Sequence, residues 1–559
     1  MKIPRIFCCL FGNRWFYQVV KRFHGVVIVL GLALSVMIGY WLAGTAAPNR
    51  SAKTGDPVAD AGKAVAPPLE DEIKFRAGVR APGYRSDDEA AKAGALPGQR
   101  ALIFKDRESL ERFLAKLGDR VKLLGRLDAL NALHVGFLDP AALAALLAGD
   151  EELAMIFPAY VPNPKPGVIQ DGVKSVGGDL LRLLGVTGDN SKWGNGVKVA
   201  ILDTGVSSHS GFGGKVSSLY LVPLATDLTN WNGHGTAVAS LVIGDGKLTS
   251  GVAPGASILS IRIANDDGNS NSMLIAKGIV TAVDSGASII NISLGSYGDS
   301  GLVRNAIDYA NQAGVVIVAA AGNEGLNQLA YPAANQGVIA VGAVDARGTP
   351  LAFSNAGASL AAAAPGLDIN AAWSGDEAVW FTGTSASAPI MTAAIAAAMS
   401  SSGTIQRNAW DAANLVLAKL DDGGAPGADP VLGGGTVDLG RVMSANTPGI
   451  YDAAVASNYF VPPTAETPYP QVQVVIQNRG TEMLLNAGIT VTTPNGITPL
   501  NITTLAPNEI RTFTIPLPAA SWDGTNPLEF DSKVTLSGGQ IDSNPLNNRR
   551  VETYSPPNP

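Results

Sequence analysis

Five short runs of apolar, largely β-branched residues, at 197–202, 257–263, 288–292, 315–320 and 338–344, constrain this chain more than any other feature. None alternates cleanly between apolar and polar side chains. A strand with one wet face reads apolar, polar, apolar, whereas a run that is apolar throughout is buried on both faces, as in a parallel sheet. Helix-like stretches at 234–243, 272–283 and 301–313 lie between these runs, and the very Ala-rich 386–400 follows them. This order predicts a mostly parallel α/β sheet with helices on both sides, occupying about 168–446.

The flanks read differently. From 99 to 160 two strand-like runs, 100–104 and 121–124, enclose a helical pattern at 108–117. Strand 132–138, helix 140–147 and strand 153–157 then complete a β-α-β-β-α-β order, a small two-layer unit in itself. The proline-rich VPNPKPG at 161–167 resists helix and reads as an exposed linker, and 48–98 as a spacer. Beyond 447, runs at 472–476, 489–491, 512–515 and 533–536 stand between Asn, Pro and Gly turns with no helical period. Residues 447–559 are therefore expected to form an antiparallel β-sandwich.

The length of 559 residues accommodates three or four such units without metals or disulfides. A net charge of −7 with only 16% charged residues argues against a nucleic-acid partner. The two cysteines, Cys8 and Cys9, leave the rest of the chain without disulfides or thiolate-bound metal. Residues 25–49 carry no charge, and an apolar stretch of about 20 residues spans a bilayer as a helix. Lys2, Arg5, Arg14, Lys21 and Arg22 precede it with no acidic residue among the first 24. That asymmetry predicts a cytoplasmic N-terminus at 1–24, a single membrane span at 25–47 and an extracytoplasmic remainder. The alternative is a cleaved signal peptide and secretion, with small residues 44–47 at the cut.

Four segments of the α/β part place reactive groups where strands end and loops begin. Strand 197–203 ends in Asp203 and turns at Gly205; by itself this Asp is an ordinary turn former. His234 stands between Gly233 and Gly235 at the start of an apolar helix, one of only four histidines. Of the others, His24 borders the apolar segment, His134 reads as packed within a strand and His209 as a solvated loop residue. Asn323 follows the apolar run 315–321 between glycines. Ser385 opens the Ala-rich helix, where free N–H groups favour developing negative charge; Pro389 is expected in the first turn, where its missing donor costs nothing. Each of these has a bland reading as a cap or a turn. Together an acid, a base, an amide and an alcohol lie at the ends of one parallel sheet, with base and acid 31 residues apart and alcohol and base 151 apart.

The order and local motifs, D-T-G at 203–205, H-G-T at 234–236, G-N at 322–323 and G-T-S-x-S-x-P at 383–389, resemble the subtilisin-like (S8, subtilase) serine peptidases across about 168–446. Gly251–Gly255, Ser293–Gly295 and the closing GGGTVDLGRVMSA continue the likeness. The resemblance implies a subtilisin-like three-layer α/β fold. It implies an endopeptidase with nucleophile Ser385, base Asp-oriented His234, orienting Asp203, and Asn323 as side-chain donor to the oxyanion beside the Ser385 N–H. It further implies that Ser293, Leu294 and Gly295 line the substrate backbone and that Ala320, Ala321 and Gly322 form the P1 pocket. By the same likeness 99–160 is a small α+β (ferredoxin-like) inhibitory propeptide, cut within about 159–168, and 447–559 is an Ig-like module similar to CARDB domains. Expected partners are protein or peptide substrates, the chain's own propeptide and the membrane. No metal or other cofactor is required, with calcium the alternative that the chain disfavours: Ile243–Ser250 lacks the Asn-rich loop that holds it in secreted relatives, and Asp245 is its one acidic side chain. The other class of reading is an inactive peptidase-fold adhesion or scaffold protein, against which the intact set of four groups argues.

Overall fold

The computed structural model describes residues 73–74, 94–149, 151–162, 173–224, 232–246, 249–517 and 527–555. The apolar segment 25–47, its basic flank, both cysteines and His24 lie outside the described residues. Among the described residues no helix is long and apolar enough to cross a membrane.

Six strands come first: β1 (Ile73–Lys74), β2 (Gln99–Phe104), β3 (Val121–Leu127), β4 (Ala132–Phe137), β5 (Glu151–Met155) and β6 (Pro158–Tyr160). The first five form an antiparallel sheet in the order β1-β5-β2-β4-β3. Residues 73–74, which the composition assigns to a spacer, thus pair with β5 as an edge strand. Two residues are too short a run for any hydropathy period to register. The helices Arg107–Leu114 and Pro140–Ala144 start on Asp106 and Asp139, whose carboxylates accept from Ser109 N and Ala141 N. Leu102, Phe104, Leu110, Phe113 and Leu133 form the core beneath them. The opposite face is built of small residues, Ala101, Ala132 and Ala154, and shares a core with Met273, Ile275 and Val303 of two helices of the α/β body. Small side chains there let the sheet approach those helices closely. His134 is packed as expected, its Nε2 2.8 Å from Gln99 Oε1, and burial pushes its pKa down to about 4.

The central sheet contains β7 (Lys198–Asp203), β8 (Val216–Tyr220), β9 (Ser257–Arg262), β11 (Ile289–Ile292), β12 (Val316–Ala320), β13 (Val338–Val344) and β14 (Leu360–Pro365), while β10 (Asn269–Asn271) pairs with β6 instead. All seven run parallel in the order β14-β13-β12-β11-β7-β9-β8. Along β7, Val199 and Ile201 pack with the helices His234–Ile243 and Thr384–Met399. Ala200 and Leu202 pack with Ser272–Asp284 and Gly301–Gln312 on the other face. Burial on both faces is the physical reason the sequence runs do not alternate. Chain order reverses at β7, whose neighbours are β9 and β11. The C-terminal edge at such a reversal is a natural crevice.

Two strands escape the sequence patterns for opposite reasons. In β8 four of five residues are exposed, so no buried run exists, and β14 reads Leu-Ala-Ala-Ala-Ala-Pro, a helical composition. His209, expected in solvent, is buried: its Nδ1 accepts from Gly211 N at 3.2 Å, its Nε2 lies 3.3 Å from Glu377 O, and its ring packs on Phe212.

Residues 451–554 carry seven antiparallel strands in two sheets, Ala453–Val461 with Gln471–Asn478 and Ile510–Pro516, and a four-stranded sheet centred on Leu484–Thr493 and Leu528–Thr535. Val472, Val474, Ile489, Val491 and Phe530 fill the space between them. This part is joined to the α/β body by ions. Arg441 donates to the carbonyls of Lys419 and Leu420 and to Asp421 Oδ1, and Arg479 NH1 lies 2.8 Å from Asp421 Oδ2. Asp422 accepts from Gly427 N at 3.1 Å through Oδ1, but its Oδ2 is buried without a partner. Burial pushes its pKa up to about 7, with Asp429 adding to the rise and Arg479 opposing it. An acid whose folded pKa lies above its unfolded value supplies stability at low pH that is lost as pH climbs to the folded pKa. For Asp422 that window runs from about 4 to about 7. The Asp422→Asn variant is therefore expected to gain on wild type in unfolding midpoint progressively from pH 4 to 7, with the gap constant above. A gap independent of pH would show that this carboxyl is ionised in the fold throughout.

Candidate active site

Asp203 is the last residue of β7 and is fully buried. Its Oδ1 accepts from the N–H of Thr204 at 2.7 Å and lies 3.2 Å from the Thr204 hydroxyl, which fixes the carboxylate plane. Both carboxylate oxygens reach His234 Nδ1, at 2.9 and 3.0 Å. His234 begins its helix, and its own N–H donates to Asn232 Oδ1. Two glycines make that approach possible. A Cβ on Gly235 would stand 2.3 Å from the Gly205 carbonyl, and one on Gly233 would stand 2.4 Å from the Trp373 ring. The imidazole packs edge-on against Phe381 at 5.2 Å, and its Nε2 is buried with no hydrogen-bond partner. A buried polar nitrogen left unpaired is costly, and is what a base waiting for a proton looks like.

Ser385 is the second residue of the helix Thr384–Met399, preceded by Gly383 at φ 137°. Its hydroxyl donates to the Ser293 carbonyl at 3.1 Å and makes no hydrogen bond to His234. Ser293 holds the same residue a second time, its Oγ donating to the Ser385 carbonyl at 3.2 Å. Pro389 explains the need, and here the expectation of a first-turn proline fails: it lies within the helix, four residues after Ser385. Having no N–H, it leaves the Ser385 carbonyl without its helical donor, and Ser293 supplies one. Asn291 Nδ2 in turn donates to Ser293 Oγ at 2.9 Å.

Asn323 follows β12 and meets the start of that helix, its Oδ1 accepting from Thr384 N at 2.8 Å and from the Thr384 hydroxyl at 2.9 Å. With the oxygen so engaged, the amide Nδ2 is the end left to donate. The loop behind it is braced by groups that no motif announces. Glu324 Oε2 accepts from Asn323 N at 2.8 Å and from the Tyr297 hydroxyl, and buried Asn355 takes Glu324 N and Leu326 N on its Oδ1. Burial first, and the Glu324 bond second, push the Tyr297 phenol above its ordinary range.

A cleft of about 310 Å³ is lined by Ser293, Leu294, Gly295, Ala320, Gly322, Asn323 and Ser385 among others, while Asp203 and His234 are buried and outside its lining. Ala321 is the exception among the residues expected there. It is fully buried in the core beneath, because successive side chains of an extended segment point to opposite faces. Gly295 exchanges both backbone hydrogen bonds with Tyr160, N–H to O at 2.9 and 3.2 Å, and Val161 N donates to Gly268 O at 2.9 Å. Residues 158–161 therefore lie in the cleft as a strand between Gly295 and β10. Among the described residues no group of three or more His, Cys, Asp or Glu side chains could hold a metal ion. Asp245 and Ser250 form an isolated antiparallel backbone bridge.

Residues 194–435 match the model of the subtilase family. Subtilisin DY of Bacillus licheniformis is 35% identical over 235 residues, covering 41% of this chain and 84% of its own. A thermostable alkaline protease of Halalkalibacterium halodurans is 37% identical over 201 residues, 35% of this chain and 55% of the relative, so the match spans little more than half of that protein. Among solved structures, a mutant of the epidermin leader peptide processing serine protease of Staphylococcus aureus shares the fold, with a TM-score of 0.52, 20% identity, and coverage of 62% of this chain and 98% of its own.

Proposed function

Because the chain belongs to the subtilase family of serine proteases, we propose that it is an endopeptidase working through Asp203, His234 and Ser385, made as a self-cleaving zymogen on the extracytoplasmic side of a membrane. The observation that carries the triad is the buried pair at 2.9 Å between His234 Nδ1 and Asp203, with Nε2 left as the open basic nitrogen. In this reading the Ser385 hydroxyl turns from Ser293 to His234, gives up its proton and bonds to the substrate carbonyl carbon. Asp203 keeps the Nδ1 proton in place and stabilises the imidazolium, and Asn323 Nδ2 with the Ser385 N–H meets the oxyanion. His234 then returns the proton to the departing amine, and water releases the acyl group.

The zymogen reading is supported by the strand at 158–161, which occupies the cleft as a substrate backbone does. Membrane attachment rests on the uncharged stretch at 25–49 and the basic residues before it. A phosphonate that reacts with activated serines is expected to label the processed protein at Ser385, and the full chain to separate residues 94–162 from the body. Ser385→Ala should do neither. Wild type that stays intact and unlabelled would favour the scaffold reading.

A further inference from the structure

We propose that Pro162 is a positioning residue that presents its own carbonyl to Ser385 and at the same time delays the attack on it; this rests on the zymogen reading above. Tyr160 and Gly295 form a hydrogen-bonded pair in an antiparallel arrangement, exchanging both N–H to O bonds. Two residues further along each strand is the next such pair, which sets Pro162 opposite Ser293. Pro162 accordingly lines the cleft together with Ser385 and Asn323. Any other residue at 162 would donate its N–H to the Ser293 carbonyl. Proline has none.

That carbonyl is taken by the Ser385 hydroxyl instead, at 3.1 Å, while His234 Nε2 stays unpartnered in the interior. The chain thus occupies its own cleft with a residue whose missing donor leaves a rival acceptor for the nucleophile. Cleavage proceeds when the hydroxyl leaves Ser293 for His234. Its oxygen bonds to the carbonyl carbon of 162, its proton passes to His234 and on to the leaving nitrogen, and the bond after 162 breaks. Water then hydrolyses the ester at Ser385.

The test is the first-order self-cleavage of the pulse-labelled full chain, in wild type, Pro162→Ala and Pro162→Leu, with Ser385→Ala as the uncut reference. The two replacements differ in side-chain size and share the restored N–H together with the loss of the ring that fixes φ at 162, a loosening that the unfolding midpoints report. Both are expected to shorten the half-time about 2- to 10-fold, the scale of one neutral hydrogen bond, with an unchanged new N-terminus directly after 162. Unfolding midpoints of both replacements in the Ser385→Ala background should not fall below that of Ser385→Ala itself, where the Ser293 carbonyl has lost the hydroxyl and a 162 N–H would take its place; a loosened strand, which would also speed cleavage, would lower them. Wild type that cuts after 162 with neither replacement faster, or a speed gain matched by a lowered midpoint, overturns the role of Pro162 and leaves the peptidase reading intact. Cleavage elsewhere overturns the register. No cleavage in any chain removes both.

Discussion

Replacing His234 by alanine is expected to lower the rate of self-cleavage about 10⁶-fold, the scale reached when the base is removed from subtilisin. Two features of the cleft make the loss large. An alcohol is a weak nucleophile until its proton is taken, and Nε2 of His234 is the buried nitrogen left open to take it. The carboxylate that lines the cleft, Glu324, is already engaged, its Oε2 accepting from Tyr297, from the Asn323 N–H and from Asn355 Nδ2 at 3.3 Å. No second base stands ready. The full chain should therefore persist as one band over the period in which wild type separates completely. Cooperative unfolding must be retained, since the ring packs on Phe381 and its loss leaves a small void. Cleavage within tenfold of the wild-type rate would end the case for His234 as the base.

The second large effect is expected for Asp203→Asn, about 10⁴-fold on the same rate, the scale of the Asp→Asn change in a well-studied Ser-His-Asp protease. Thr204 donates its N–H to Oδ1 at 2.7 Å, so the amide oxygen of an asparagine would keep that place. Its NH2 group would then take the position of Oδ2, 3.0 Å from His234 Nδ1. A donor facing Nδ1 makes that nitrogen the acceptor and moves the ring proton to Nε2, where it blocks proton transfer from Ser385. The shape is nearly unchanged, so the unfolding midpoint should shift little compared with the rate. A loss of only a few-fold would mean that the carboxylate orients the ring without selecting its tautomer.

The residues of the candidate site were legible because each is announced by its neighbours. Asp203 ends an apolar run, His234 and Asn323 sit beside glycines that admit close backbone approach, and Ser385 opens an apolar helix. The bracing shell was not legible. Asn291, Thr384, Tyr297 and Asn355 act through contacts with residues up to 101 positions away, and a lone Asn or Tyr carries no periodic signal. Ala321 escapes the sequence for a related reason: its side-chain direction depends on where β12 ends its alternation, which a run of three alanines conceals. The serines flanking His209 point to solvent, yet the turn through Gly211 and the carbonyl of Glu377 fold over the ring.

Local composition by itself determined the parallel α/β body, the antiparallel C-terminal part and the four chemical groups, because burial on two faces, turn-forming glycines and helix starts all leave marks within a few residues. Only the tertiary structure decided the partners of those groups. That Ser385 bonds to Ser293, that Nε2 of His234 is left open, and that residues 158–161 lie in the cleft are outcomes of distant strands being brought into register. Register is set by the packing of whole elements against one another, and so no short stretch of the chain contains it.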